Sequence, residues 1–355
     1  MRSTPSVLAL TLTSAAALPA WAGEASESAA AQVLEQTMAN QSPQDLALLK
    51  AVQGKDIVVV RGSMDHIEQV LSAARIRHTV IDPGQVAGAD LNADQVLMVN
   101  CPGTMPQAGL RRIEKFVRAG GLLYTTDWAL LNVVQKAFPK TIAHNGGSTG
   151  DHVTAVRVHK HHDDLMSNML LREGAEPQWW LEGGSYPIKI LDKKRVEVLA
   201  SSPQMGKAYG ASPVVVRFRW DDGEVIHVVS HFYRQVETRG PRVAAKDAID
   251  GVKSLNTAQK AAIKSSKAGE VNMGDLESSY AFQRMTTNLV VTKKKKNADL
   301  DKQYTATPAA SVTLEGREVQ KGGRLKVLER RGTKVRVRDD RGNEGEVAAD
   351  ALEAR

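Results

Sequence analysis

The 355-residue chain contains one cysteine and nine histidines, so groups able to act as nucleophile, metal ligand or acid–base catalyst fall in few places. Cys101 ends an apolar run and precedes Pro102-Gly103. Its thiolate would be a nucleophile only beside a base. No local signature supplies one, and the competing reading is a buried structural thiol. His159-Lys160-His161-His162-Asp163-Asp164 has the outline of a metal-binding H-x-H-x-D-H run, but Asp164 stands at the last position. An extended backbone sends His159 and His161 to one face and His162 to the other. A metal site of His159, His161 and His162 therefore needs a turn, and the alternative is a surface loop. A third set is dispersed: Ser63, Asn100, Thr126, Asp127, Trp128 and His231 each end or follow an apolar segment. A carboxylate and an imidazole brought together in this way can bind a sugar or move protons.

The segments that would carry this third set read as strands. Asp56-Ile57-Val58-Val59-Val60 is a continuous β-branched run of the kind buried on both faces. Residues 64–75 show helical spacing through Ile67, Val70, Leu71 and Ala74. His78-Thr79-Val80-Ile81 is a second strand, stopped by Asp82-Pro83-Gly84, and Gln95 to Val99 a third. Leu110, Ile113, Phe116 and Val117 form one face of a helix that stops at Gly120-Gly121. Leu122 to Thr126 is a fourth strand, followed by a helix from Trp128 to Phe138. This alternation predicts a doubly wound, mostly parallel sheet covered on both faces. Ligands of such sheets bind beyond the carboxyl ends of the strands, where the strand order reverses. Two plainer readings stand beside that one: Asp127 as the N-cap of the helix at Trp128, and His231 as the close of a buried strand.

Ahead of the sheet, residues 23–53 predict a helical lead-in. Behind it, Val153 to Val158, Lys189 to Leu191, Val196 to Ala200, Val214 to Trp220 and Glu224 to Ser230 are candidate strands, with Asp221-Asp222-Gly223 as a hairpin turn. Residues 238–275 read as a polar, Lys- and Ala-rich insertion, and 276–291 as an amphipathic helix packing back on the sheet. Lys293-Lys294-Lys295-Lys296 and the polar stretch after them predict a Lys-rich linker over 293–303, closing an α/β domain of 54–292. From 304 to 355, short alternating strands separated by Gly322-Gly323, Arg331-Gly332 and Arg341-Gly342-Asn343 predict a small antiparallel barrel.

Residues 1–22 read as an export signal: a basic start at Arg2, an uncharged stretch from Val7 to Leu18, and Ala20-Trp21-Ala22 before Gly23. The stretch is shorter than the roughly 20 residues a spanning helix needs. No later segment is apolar enough to span either, and a periplasmic or secreted protein is expected. The formal charge of +7 favours an anionic partner. No nucleic-acid fingerprint accompanies it, and aromatic residues are scarce.

Residues 55–235 resemble the class I glutamine amidotransferase-like superfamily in its trehalose-utilisation, or ThuA-like, branch. The segments that carry the resemblance are Asp94 to Gly103, Phe116 to Leu123, Trp180-Leu181-Glu182-Gly183-Gly184-Ser185-Tyr186, Val196 to Ser201 and Glu224 to His231. It implies a flavodoxin-like sheet and places Glu182 near the same edge as the strand ends, so that Asp127, Glu182 and His231 would form a polar cluster. The tail resembles a bacterial SH3-like domain through Lys321 to Leu328 and Gly342 to Val347, although Lys334 and Glu346 stand where that family carries aromatics.

Catalytic amidotransferases carry a Cys on the sharp turn after a central strand, aimed at an oxyanion site. The matching turn, Tyr124-Thr125-Thr126-Asp127-Trp128, has none, which argues against glutamine hydrolysis. The leading expectation is a binding or scaffolding protein without a cofactor, its tail contacting a cell-wall polymer or an envelope protein. The runner-up is a ThuA-like carbohydrate-active enzyme binding a sugar derivative at Asp127, Glu182 and His231.

Overall fold

The computed structural model describes residues 24–172, 177–231, 244–265 and 271–355. The expected signal, and residues 238–243 and 266–270 of the expected insertion, lie outside the described residues. The chain runs α1 (Glu24–Gln41), α2 (Pro43–Lys50), β1 (Ile57–Val60), α3 (Ile67–Ala73), β2 (Thr79–Ile81), β3 (Val96–Val99), α4 (Gln107–Arg118) and β4 (Leu122–Thr126). A helical stretch then ends in α5 (Gln135–Ala137). It is followed by β5 (Ile142–His144), β6 (His152–Ala155), β7 (Arg157–Val158), β8 (Gln178–Leu181), β9 (Ile188–Ile190) and β10 (Glu197–Ser201). Next come α6 (Pro203–Tyr209), β11 (Pro213–Trp220), β12 (Gly223–Val228), α7 (Ala245–Ala248), α8 (Thr257–Lys264) and α9 (Met273–Asp301).

The main sheet has the order β2-β1-β3-β4-β12-β11-β10-β7. The first five strands are mutually parallel; β11 is antiparallel to β12 and β10, and β7 to β10. The sheet is therefore parallel-rich but mixed. The physical cause is the two-residue connection Asp221-Asp222, which can join only antiparallel neighbours. β1 and β3 are buried along their whole length, as their unbroken apolar sequences require; β4 is equally buried, and its Thr125 and Thr126 hydroxyls bond His227 and Asp65. α4 covers them with Leu110, Ile113, Phe116 and Val117, and α9 adds Phe282, Met285, Leu289 and Val290 to the same core. Ala29, Ala30, Val33, Leu34 and Met38 of α1 build a second core with Ile249, Val252, Leu255, Ile263 and Leu276.

Most of the expected linker at 293–303 is instead the continuation of α9, a helix of 29 residues that ends at Asp301. Lysine is a good helix former, and each lysine of the run finds a partner on a neighbouring element. Lys293 is buried and donates to the carbonyls of Ala93 and Gly120, Lys294 pairs with Asp56, Lys295 with Asp45 and Lys296 with Glu224.

The tail forms two small antiparallel sheets from β13 (Ala306–Pro308), β14 (Val312–Leu314), β15 (Arg317–Val319), β16 (Leu325–Arg331), β17 (Lys334–Asp339), β18 (Glu344–Ala348) and β19 (Leu352–Ala354). Ala306, Leu314, Val319, Leu325, Val335 and Val337 are its core. It is fastened to the amino edge of the main sheet. Arg324 pairs with Asp94, Lys326 with Asp222, and Arg341 with Asp90, while the Ala93 amide donates to the Asp340 carbonyl at 2.7 Å. Gly342 lies so close to α4 that a Cβ there would sit 2.1 Å from the Lys115 carbonyl. No helix among the described residues is long and apolar enough to cross a membrane.

Candidate active site at the carboxyl edge of the sheet

The opposite edge gathers the dispersed residues. β4 ends in Thr126, and Asp127 turns the chain with a left-handed φ of 44°. Its amide donates to Val228 of β12 at 3.0 Å, which fixes the turn against the neighbouring strand. β12 in turn leads to Ser230, also left-handed at φ 59°, and this bend brings His231 back over the strand ends. The Ser230 hydroxyl accepts the Glu182 amide at 2.8 Å and ties the β8 loop to the same bend.

His231 is the centre of the arrangement and is 1% exposed. Its Nδ1 lies 2.7 Å from Glu182 Oε2. Its Nε2 lies 3.6 Å from Asp127 Oδ2 and 3.6 Å from Asp65 Oδ2, beyond hydrogen-bond reach of both, and has no partner. The Asp127 carboxylate accepts from the Tyr186 amide at 2.9 Å and the Ser185 hydroxyl at 3.0 Å. It thus faces the β8 loop and His231, and the following helical stretch shows no side-chain cap. Asp65 accepts from the Thr126 hydroxyl. Cys101 completes the set: its sulfur, an Asp127 oxygen and a His231 nitrogen all lie within 4.8 Å of one another.

Burial shapes the electrostatics of this pocket. It raises Asp65 to about 6, against the opposing pull of His231 and the Thr126 hydrogen bond. It raises Asp127 as well, again against His231. On His231, burial works downward but is outweighed by the Glu182 hydrogen bond and the charges of Asp65, Asp127 and Glu182, so the imidazole is raised. Burial and the Asp127 charge push the Cys101 thiol far up. Three carboxyl groups and one imidazole in such a space must share protons or take up a cation.

Asp127, Glu182 and His231 are therefore brought together as expected, and Thr126 serves as the hydrogen-bond donor to Asp65. Trp128 stands at the rim, where its indole N–H donates to the Gly184 carbonyl at 2.8 Å. It stacks on Tyr186 at 5.5 Å, and Tyr186 stacks on His144 at 4.0 Å. Ser63 is exposed, and Asn100 is turned to α3, bonding Glu68 and the Ile67 amide. His159, His161 and His162 are exposed and do not converge; His159 bonds Ser201, and the group of potential metal ligands found among the described residues is the one at His231. The lysine–histidine run fails as a site because its turn opens toward solvent. Asp65 was not singled out from sequence. It lies five residues past the end of β1, and extending the strand-end rule past Ser63 would have reached it.

No protein-family model matches the chain, and no curated protein matches it. Among solved structures, it is similar to a putative ThuA-like protein from Bacteroides uniformis ATCC 8492, at 14% identity and a TM-score of 0.36, over 62% of this chain and 96% of that one. A β-galactosidase from Bacillus circulans sp. alkalophilus matches 88% of this chain and 43% of its own, at 11% identity and a TM-score of 0.37. A cytoplasmic protein from Salmonella typhimurium matches 50% of this chain and 89% of its own, at 10% identity and a TM-score of 0.34. The chain spans less than half the length of the glycosidases it matches, 28% to 43%. At such identities and scores the likeness carries no activity with it.

Proposed function

We propose that the protein is an enzyme acting on a polyhydroxylated small molecule of the sugar class at the carboxyl edge of its sheet. The observation that carries this reading is the convergence of Asp65, Asp127 and Glu182 on the single ring of His231. The reacting edge is Nε2 of His231 with the two aspartate oxygens, groups able to hold and pass a proton or a cation. Glu182 orients the ring. The half-buried Trp128 and Tyr186 rings supply an apolar face of the kind a sugar ring packs against.

The test is a screen of the purified protein against unmodified and oxidised disaccharides and glycosides. Turnover that His231→Ala abolishes, with circular dichroism unchanged, supports the reading. No turnover or binding across the panel removes it. The scaffolding alternative is weaker, because Arg324, Lys326, Arg338 and Arg341 of the tail are engaged by Asp94, Asp222, Asp221 and Asp90 rather than presented to a wall polymer.

The finer readings of the fold and location belong here too. The order of the five parallel strands supports a flavodoxin-like sheet, and the packed antiparallel tail supports an SH3-like barrel. Export to the periplasm or medium rests on residues 1–22, and mass spectrometry of the secreted form should give a mature chain beginning at Gly23.

A further inference from the structure

We propose that Cys101, Asp127 and His231 form a binding site for one divalent transition metal, zinc or a close analogue, with the Asp65 carboxylate beside His231. This deepens the reading of the cluster as a reactive centre and rests on it, but does not depend on the substrate.

The geometry carries the assignment. Two ligands of one ion at bond lengths of about 2.0–2.2 Å lie roughly 3.3–3.5 Å apart in a tetrahedral site. The Nε2 atom of His231 is 3.6 Å from one oxygen of Asp127. That spacing is too long for hydrogen bonds and close to what a shared ion requires. Nε2 is buried and has no hydrogen-bond partner, although buried polar atoms are ordinarily bonded. The Cys101 sulfur lies within 4.8 Å of the Asp127 and His231 ligand atoms.

The ligands are also held as metal ligands are held. His231 gives its other ring nitrogen to Glu182 at 2.7 Å, an arrangement that fixes the tautomer and leaves the Nε2 lone pair free for an ion. Asp127 is fixed by Tyr186 and Ser185. A thiolate with an imidazole and a carboxylate favours zinc-like ions over magnesium or calcium, which prefer an all-oxygen shell. Binding requires the thiolate, so the Cys101 proton leaves to solvent as the metal–sulfur bond forms.

The experiment uses the full chain, purified without a metal-chelate column and dialysed against chelator, then titrated with Zn²⁺ and Co²⁺. We expect one ion per chain, proton release on binding, and with Co²⁺ a sulfur-to-metal charge-transfer band that Cys101→Ser abolishes. Asp127→Asn should weaken affinity at least 10-fold. Glu182→Gln, which leaves every ligand in place, should weaken it about 10–100-fold. Binding below one ion per chain, unchanged binding in Cys101→Ser, or loss of binding in a His159→Ala/His161→Ala/His162→Ala variant would each overturn the proposal. Sugar turnover that survives chelation removes the metal and leaves the enzyme reading; a stoichiometric metal without sugar turnover does the reverse.

Discussion

Glu182 and His231 meet at 2.7 Å, carboxylate oxygen to Nδ1, while the opposite nitrogen of the same ring is bonded to nothing. On the proposed reading, orientation comes from one side of the imidazole and reactivity from the other. Glu182→Gln keeps an acceptor oxygen but removes the charge that selects the tautomer. Turnover should fall about 10–100-fold. Unfolding free energy should change by less than about 1.5 kcal/mol, because the Glu182 side chain is only partly buried. Paired kinetics and urea unfolding check this, and wild-type behaviour in both would detach Glu182 from the site.

The second core offers a pH test with a definite sign. Glu27 on α1 is fully buried and raised from 4.5 to about 7 by burial, against the Gln283 hydrogen bond. Between about pH 4.5 and 7 the native state holds the proton that the unfolded state has lost, so this group makes stability fall as pH rises. Its Oε1 and the Oε1 of Gln283 both lack a donor. Glu27→Gln supplies one and removes the titration. It should stabilise the protein by about 2–3 kcal/mol at pH 8 and by under about 1 kcal/mol at pH 4. Denaturant unfolding at the two pH values decides the matter, and an equal effect at both would contradict it.

Much of this architecture was legible from apolar patterning alone. Ile57 to Val60 and Val96 to Val99 read as buried strands because no polar residue interrupts them, and Leu122 to Thr126 because no charged one does. Asp127 and His231 were legible because they end such strands. Asp65 was not, since it lies beyond a loop and meets His231 only through the fold. Cys101 reads from the sequence as a buried thiol, and it is buried. The lysine run misled because local charge says nothing of the backbone carbonyls and carboxylates that tertiary packing brings to it.

Lys293 makes that last point testable. Burial lowers its ammonium from 10.5 to about 7, while its Nζ serves the carbonyls of Ala93 and Gly120. Between about pH 7 and 10.5 the unfolded state binds more protons, so the lysine makes stability rise with pH. Lys293→Met loses this slope and leaves two buried carbonyls without a donor. The variant should trail the wild type by about 1–2 kcal/mol at pH 7, and the gap should widen by pH 9.5. Urea unfolding across that range measures it; a constant gap would mean that burial does not lower the Lys293 ammonium.

Gly342 tests whether the tail is a fixed part of the molecule. Its φ of +83° is left-handed, and a Cβ would come within 2.1 Å of the Lys115 carbonyl on α4. Backbone on both sides leaves no side chain to rotate away. Gly342→Ala must therefore push β17 and β18 off α4, straining the contacts of Arg341 with Asp90 and of the Asp340 carbonyl with the Ala93 amide. We expect a loss of at least about 2 kcal/mol in stability and earlier proteolytic release of the tail. Chemistry at His231 should change little, because the tail docks at the amino edge and the cluster lies at the carboxyl edge. A variant that keeps full stability would show the tail to be loosely held; one that loses turnover while the remaining fold stays intact would show that the two edges are coupled.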